Sequence, residues 1–116
     1  MKTHKDLDVW QKSIVLVENI YALTSSFPKE EIYGIINQMR RAAVSIPSNI
    51  AEGSARQGNK EFANFLYIAL GSLSELETQL IISKNLRYHS NEIIFAELET
   101  VRKLLIGLIK YIKAKQ

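Results

Sequence analysis

The sequence predicts an all-α fold, an antiparallel up-down-up-down four-helix bundle with a Pro-kinked second helix. Apolar residues recur at alternating steps of four and three in four stretches, which is the spacing of helices that pack side by side. No stretch alternates apolar and polar residues for long, and no Asn-Gly or Asp-Gly hairpin turn is present. Short linkers between long helices make consecutive helices antiparallel. We predict one domain over residues 1–116, with helices at about 6–25, 28–56, 60–87 and 91–114.

Each predicted helix carries one apolar stripe that we expect to face the core. The four stripes are, in chain order, Trp10, Ile14, Val17 and Tyr21; Ile32, Ile36, Met39, Ala43, Ile46 and Ile50; Phe62, Leu66, Ala69, Leu73, Leu76 and Leu80; and Ile94, Leu98, Val101, Leu105, Leu108 and Ile112. Further apolar residues widen these stripes beyond the needs of one core, and they suggest contacts between subunits. These are Val9, Leu16, Ile20, Ile35, Leu70 and Ile109.

The second helix contains Pro47 in the stretch RRAAVSIPSNIAEGSAR. Proline inside a helix costs about 3 kcal/mol, but burial of Ile46 and Ile50 returns about 1.5–3 kcal/mol each. The stripe keeps its phase on both sides of the proline, and Ser45 and Asn49 are placed to satisfy freed backbone groups. We therefore predict one kinked helix through Pro47. The alternative is a break with Ser45 as a new N-cap.

The composition is that of a folded chain with a small positive charge. The net charge is +3, 47% of the residues are apolar and there is no cysteine, which excludes disulfides, thiol catalysis and thiolate metal sites. The N-terminal sequence lacks the apolar core of a secretory signal, and no apolar run approaches the roughly 18 residues that span a bilayer. We expect a soluble, cytoplasmic protein that does not contact membranes.

The residue inventory argues against an enzyme. The two histidines are His4 and His89, and neither follows a glutamate by three positions, as the di-iron sites of helical bundles require. No glycine-rich phosphate loop is present. We expect no catalytic residue, no metal and no cofactor.

Basic residues concentrate near the C-terminus, where the last fifteen residues hold five cations and no acid. Such an end attracts phosphate, but it also complements the dipole at a helix C-terminus. The five tyrosines fall mostly at core spacing, so we expect no aromatic platform for base stacking. The candidate nucleic-acid-binding residues are Arg56, Lys60, Arg102, Lys103, Lys110, Lys113 and Lys115.

A second polar cluster surrounds Pro47, where the second and third helices should pair. We expect Arg40 or Arg41 to form an ion pair with Glu75; the alternative is that each charge faces water. Asn49, Glu52 and Arg56 form a row on one face of the second helix, one turn apart, and this row is either a ligand surface or a solvated edge. The cluster consists of Arg40, Arg41, Ser45, Asn49, Glu52, Glu75 and Glu77.

Two segments carry a resemblance to a known family. QMRRAAVSIPSNIAEGSAR followed by FLYIALGSLSELETQL resembles the 23S ribosomal RNA intervening-sequence proteins of bacteria, and LDVWQKSIVLVENIYALTSSFP resembles the opening helix of that family. The resemblance implies a four-helix bundle similar to the accessory protein of diversity-generating retroelements, a basic homopentamer that binds nucleic acid and a reverse transcriptase. It also implies a homopentamer here.

Two hypotheses of function follow. The first is a non-enzymatic homo-oligomer that binds RNA or DNA through its basic surface, with five copies of a +3 chain carrying +15 on one particle. The alternative is a protein–protein interaction or scaffold module without direct nucleic-acid contact.

Overall fold

The computed structural model describes residues 3–115, and these residues form four α-helices and no strand. The helices are α1 (Asp8–Thr24), α2 (Ile35–Ser54), α3 (Asn59–Asn85) and α4 (Ile93–Lys113). Short 3-10 helices lie at His4–Asp6 and Lys29–Glu31. Each helix packs against its neighbours in sequence, and α1 also packs against α4, which closes a bundle measuring 45 × 24 × 20 Å. The predicted fold class is confirmed.

The second helix continues through Pro47 without a break. Ile46 and Ile50, on either side of the proline, are both fully buried, so the apolar stripe stays in register as predicted. Asn49 Nδ2 donates to the carbonyl oxygen of Ser45 at 2.8 Å and to its hydroxyl at 2.9 Å. The predicted continuous helix is confirmed, and the alternative of a break at Ser45 is wrong. The kink itself stays a prediction.

The α-helix that contains Pro47 begins at Ile35, later than the predicted residue 28. Pro28 precedes the 3-10 helix, and Gly34, with φ −109° and ψ −120°, separates that helix from α2. The Glu31 carboxylate accepts a hydrogen bond from the Tyr88 hydroxyl at 2.8 Å, which ties this segment to the loop between α3 and α4. Ile32 therefore lies outside α2 and is 54% exposed instead of buried.

The core face of α1 differs from the predicted stripe. Its buried residues are Val9, Ser13, Leu16, Ile20 and Thr24. The predicted face is half-buried at Trp10, Ile14 and Val17, and Tyr21 is exposed. Ser13 and Thr24 enter the core because their hydroxyls donate to the carbonyl oxygens of Trp10 and Ile20, at 2.7 and 2.8 Å.

The stripes of α3 and α4 form the centre of the core, as predicted. All six predicted residues of α3 are buried, and in α4 only Leu108 is half-buried, with Ile109 buried beside it. The six apolar residues that we expected to exceed the needs of one core also belong to this core. Val9, Leu16, Ile20 and Ile109 are buried, and Ile35 and Leu70 pack against the core. The inference of subunit contacts from those six residues is therefore wrong.

Candidate nucleic-acid interface

One end of the bundle gathers basic residues from three helices. Because consecutive helices are antiparallel, α2 ends where α3 begins and α4 ends. Arg56 follows α2, Lys60 lies in the first turn of α3, and Lys110 and Lys113 lie in the last turn of α4. Lys113 Nζ donates to the Tyr67 hydroxyl at 3.2 Å, which joins α4 to α3. Lys115, beyond α4, completes what we call the basic end: Arg56, Lys60, Lys110, Lys113 and Lys115.

Aromatic rings lie directly beside these cations. The Arg56 guanidinium carbon is 5.0 Å from the centre of the Phe65 ring. Lys113 Nζ is 5.5 Å from the centre of the Tyr67 ring, and Lys115 Nζ is 4.6 Å from that of Tyr111. Cations at these distances are attracted to the face of the ring. Three of the five basic-end residues therefore have an aromatic neighbour.

The tyrosines at this end are exposed, contrary to the prediction that they occupy core positions. Tyr67 is 46% exposed and Tyr111 is 58% exposed. Tyr21 and Tyr33, at other sites, are exposed as well. The prediction failed because the helical spacing of aromatic residues does not reveal which face of a helix is buried. The expectation that this end has no exposed aromatic ring is therefore wrong.

Arg102 and Lys103 do not belong to the basic end. Arg102 Nη2 lies 2.7 Å from Glu77 Oε1, and its Nε lies 3.3 Å from Glu99 Oε2. The Arg102 side chain is only 20% exposed, so its charge is compensated inside the seam between α3 and α4. Lys103 is exposed on the middle of α4. We therefore expect these two residues to contribute to stability and solubility more than to phosphate binding.

Arg40 faces α1, and the expected ion pair with Glu75 is not formed. Arg40 Nε donates to Thr24 Oγ1 at 2.9 Å, and its guanidinium carbon lies 4.5 Å from the centre of the Tyr21 ring. Glu75 instead accepts from Gln79 Nε2 at 3.4 Å. Arg41 is exposed and makes no hydrogen bond or ion pair with a described residue. The seam between α2 and α3 is thus joined by neutral groups.

The rest of the polar cluster is structural or solvated. Ser45 Oγ lies 2.8 Å from Ser72 Oγ across the α2–α3 seam. Glu52 pairs with Arg56 at 3.2 Å on an exposed helix surface, a contact that contributes little to stability. Of the row Asn49, Glu52 and Arg56, the first bonds within its own helix and the other two bond to each other.

The described residues contain no group of three or more histidine, aspartate or glutamate side chains that could hold a metal ion. His89 uses both ring nitrogens structurally. Its Nε2 lies 3.1 Å from the Leu80 carbonyl oxygen, and its Nδ1 accepts from the Asn91 backbone at 3.2 Å. His4 packs edge-on against Trp10, with ring centres 5.1 Å apart.

Among the described helices, α3 is long and apolar enough to cross a membrane by length and composition alone. The same helix carries the longest buried stripe of the bundle, running from Phe62 to Ser83. A helix in the core of a bundle can meet the same criteria of length and composition, because it carries many apolar residues. Only 33% of the apolar window is buried in the bundle, so packing accounts for part of its apolar content.

The fold and the site define a class of protein: an antiparallel four-helix bundle that presents one basic, tyrosine-bearing end. The family model of the 23S rRNA-intervening sequence protein matches residues 5–107, and the chain belongs to this family. The resemblance drawn from the motifs is therefore confirmed.

A solved structure supports the same assignment. A crystal structure of a protein with unknown function from the S23 ribosomal protein family of Bacteroides thetaiotaomicron VPI-5482 is 29% identical to this chain. The similarity covers 88% of this chain and 98% of that one, with a TM-score of 0.78. A comparison with curated proteins finds no significant match.

Proposed function

We propose that this protein is a non-enzymatic RNA-binding protein that acts as a homopentamer in the bacterial cytoplasm. The observation that carries the proposal is the basic end, where lysines and exposed tyrosines from α3 and α4 lie side by side. Lysines bind phosphates regardless of the base sequence of the nucleic acid, and exposed aromatic rings stack on unpaired bases. Few other ligands match both groups at once.

Single-stranded RNA fits this surface better than a duplex. Stacking needs bases that are not already stacked within a helix, and Tyr67 and Tyr111 are 46% and 58% exposed. The family takes its name from 23S rRNA intervening sequences, which makes RNA the first ligand to test.

The proposed self-association uses the opposite end of the bundle. Apolar side chains from the segment before α2, the end of α3 and the start of α4 are exposed there, and we call this surface the apolar end. These are Tyr33, Ile82, Leu86 and Ile93. The hydrogen bond from Tyr88 to Glu31 joins the segments that carry them. Exposed apolar groups at one end of a small protein are typical of a subunit contact.

The test is fluorescence anisotropy with a labelled single-stranded RNA and a duplex of the same length. Tyr111→Ala should weaken binding of the single strand by about 5- to 150-fold, the cost of one lost stacking contact. Tyr21→Ala is the matched control, because Tyr21 is 43% exposed at the other end and lies outside the proposed subunit contact. Equal losses in the two variants would contradict the proposed interface.

Salt dependence tests the phosphate contacts separately. The four lysines of the basic end predict a slope of log K against log salt concentration of about −3 for each protomer, and Lys60→Gln should reduce it by about 0.7. Lys29→Gln, at the opposite end, should leave it unchanged. A slope near zero for the unmodified protein would exclude phosphate binding.

A further inference from the structure

An open groove follows the seam between α1 and α2, while the proposed RNA contacts lie on α3 and α4. Its first part has a volume of about 530 Å³ and is lined by Arg40 and Arg41 together with the apolar Ile32 and Ile36. Its second part has a volume of about 300 Å³. Val44, which is 40% exposed, lines both parts, so they lie next to each other along α2.

The first part of the groove is positively charged, and no aspartate or glutamate lines it. Arg40 is fixed in place by Thr24 at 2.9 Å and by the Tyr21 ring, so it does not have to be ordered when a ligand binds. Arg41, with no partner among the described residues, is available to an anion. The two guanidinium groups favour a ligand with carboxylates at this position.

The second part of the groove is apolar along most of its length. Trp10, Ile14, Val17 and Pro47 line it, and again no carboxylate does. Charge is therefore confined to one end of the groove, and apolar surface continues away from it. A ligand that matches both parts is amphipathic, with its acidic groups at one end only.

We propose that this groove binds an acidic amphipathic helix of a partner protein. Along α2 the groove extends from Ile36 to Ala51, about 22 Å at 1.5 Å per residue, which is the length of a helix of about 15 residues. A helix satisfies its own backbone hydrogen bonds. An extended peptide would need a sheet edge, and the described residues contain no strand.

The charge distribution also orients the bound helix. Acidic side chains are favoured in the first turn of a helix, where they complement the helix dipole. The first turn of the partner helix therefore lies over Arg40 and Arg41, and its apolar side chains at positions i, i+4 and i+7 enter the groove near Val44 and Trp10. RNA matches this surface poorly, since its phosphates recur at every nucleotide and the cations occur at one end only.

The experiment selects ligands from a display library of random 16-residue peptides on the full-length protein. Enriched peptides are expected to carry aspartate or glutamate in the first four positions and apolar residues at helical spacing. Their binding is then measured by anisotropy and by the fluorescence of Trp10, the single tryptophan of the chain, which should change on binding. Arg41→Glu should weaken binding by about tenfold or more. Val44→Glu should abolish it.

Lys103→Glu is the matched control, because it makes the same charge change on an exposed position of α4. It should leave peptide binding unchanged, and so should Tyr111→Ala at the RNA interface. Circular dichroism checks that each variant is folded, and Arg41 is exposed enough for its substitution to be tolerated.

Three results would overturn the proposal. The first is the absence of acidic amphipathic sequences among the enriched peptides. The second is a fall in the solution mass of the protein in Arg41→Glu or Val44→Glu, which would assign the groove to a second copy of this chain. The third is displacement of bound peptide by short RNA in the wild type and in Tyr111→Ala alike, which would assign it to nucleic acid.

Discussion

Ser45 on α2 and Ser72 on α3 place their hydroxyl oxygens 2.8 Å apart, and Asn49 donates to the same Ser45 hydroxyl at 2.9 Å. Three short polar side chains thus form a chain of hydrogen bonds in a half-buried helix seam. Ala43 on α2 and Ala69 on α3 are also small, and both are fully buried. Among the described residues this neutral contact joins the two helices and no ion pair does, while the apolar core supplies most of their packing.

Loss of this contact should destabilise the bundle. Ser72→Ala removes one partner of the hydrogen bond, so we expect the free energy of unfolding to fall by about 1 kcal/mol in urea titrations. Ser48→Ala is the control, because Ser48 is exposed on α2. A double-mutant cycle with Ser45→Ala should show coupling between the two serines. Additive effects would mean that the hydrogen bond contributes nothing.

Gly53 allows α2 and α3 to come together at the basic end. A Cβ atom there would lie 2.7 Å from Phe65 Cβ and 3.2 Å from the Phe62 carbonyl oxygen, which belongs to the backbone and cannot move alone. Gly53→Ala should therefore destabilise the protein by about 1–3 kcal/mol, although alanine favours helix formation. Thermal unfolding measures the effect.

The matched control for Gly53 is Gly71, which lies inside α3 with no atom within 4 Å of an added Cβ. Gly71→Ala should stabilise the protein by up to about 1 kcal/mol through helix propensity. If Gly53→Ala stabilised the protein as Gly71→Ala should, the contact with α3 would not restrict the side chain at residue 53.

Periodicity predicted the long helices and failed where polar residues enter the core. The stripes of α3 and α4 contain only apolar residues, nine of the twelve being leucine or isoleucine, so their buried faces could be predicted. In α1, Ser13 and Thr24 lie on the buried face, and each hydroxyl is satisfied by a carbonyl of the same helix. A pattern that treats serine and threonine as polar therefore assigns the wrong face.

The candidate site was predictable only in part, because its contacts join different helices. The positions of Lys113 and Lys115 at the end of the last helix follow from the sequence alone. Their aromatic neighbours do not, since the contact between Lys113 and Tyr67 depends on the rotation of α4 against α3. Arg40 is a similar case: its direction toward Thr24 depends on the phase of α2 after Gly34.

Stability at high pH should depend on Tyr88. The hydrogen bond to Glu31 raises the pKa of the Tyr88 hydroxyl above its ordinary value of 10.0, and burial and the negative charges of Glu31 and Glu30 raise this pKa further. Because the folded state favours the neutral phenol, its contribution to stability is fully present below pH 10. That contribution is lost as the pH rises through the higher pKa of the folded protein.

The measurement is the unfolding temperature as a function of pH for the wild type and Tyr88→Phe. The variant lacks the hydrogen bond, so the difference between the two proteins should be constant below about pH 10 and shrink above it. Tyr33→Phe serves as control, since Tyr33 is 93% exposed. A difference that does not change with pH would show that ionisation of Tyr88 is not linked to folding.

Substitution of Ile93 should dissociate the proposed oligomer. Ile93 is 74% exposed at the apolar end, and burial of such a side chain in a subunit contact stabilises each contact by about 1.5–3 kcal/mol. Five chains of 13.2 kDa give a particle of about 66 kDa, and Ile93→Glu should reduce the mass measured by light scattering toward that of one chain. Val15→Glu, on α1, makes the same kind of change on a residue that is 47% exposed and should leave the mass unchanged. If Val15→Glu alone dissociated the particle, the contact between copies would lie on α1 and not at the apolar end.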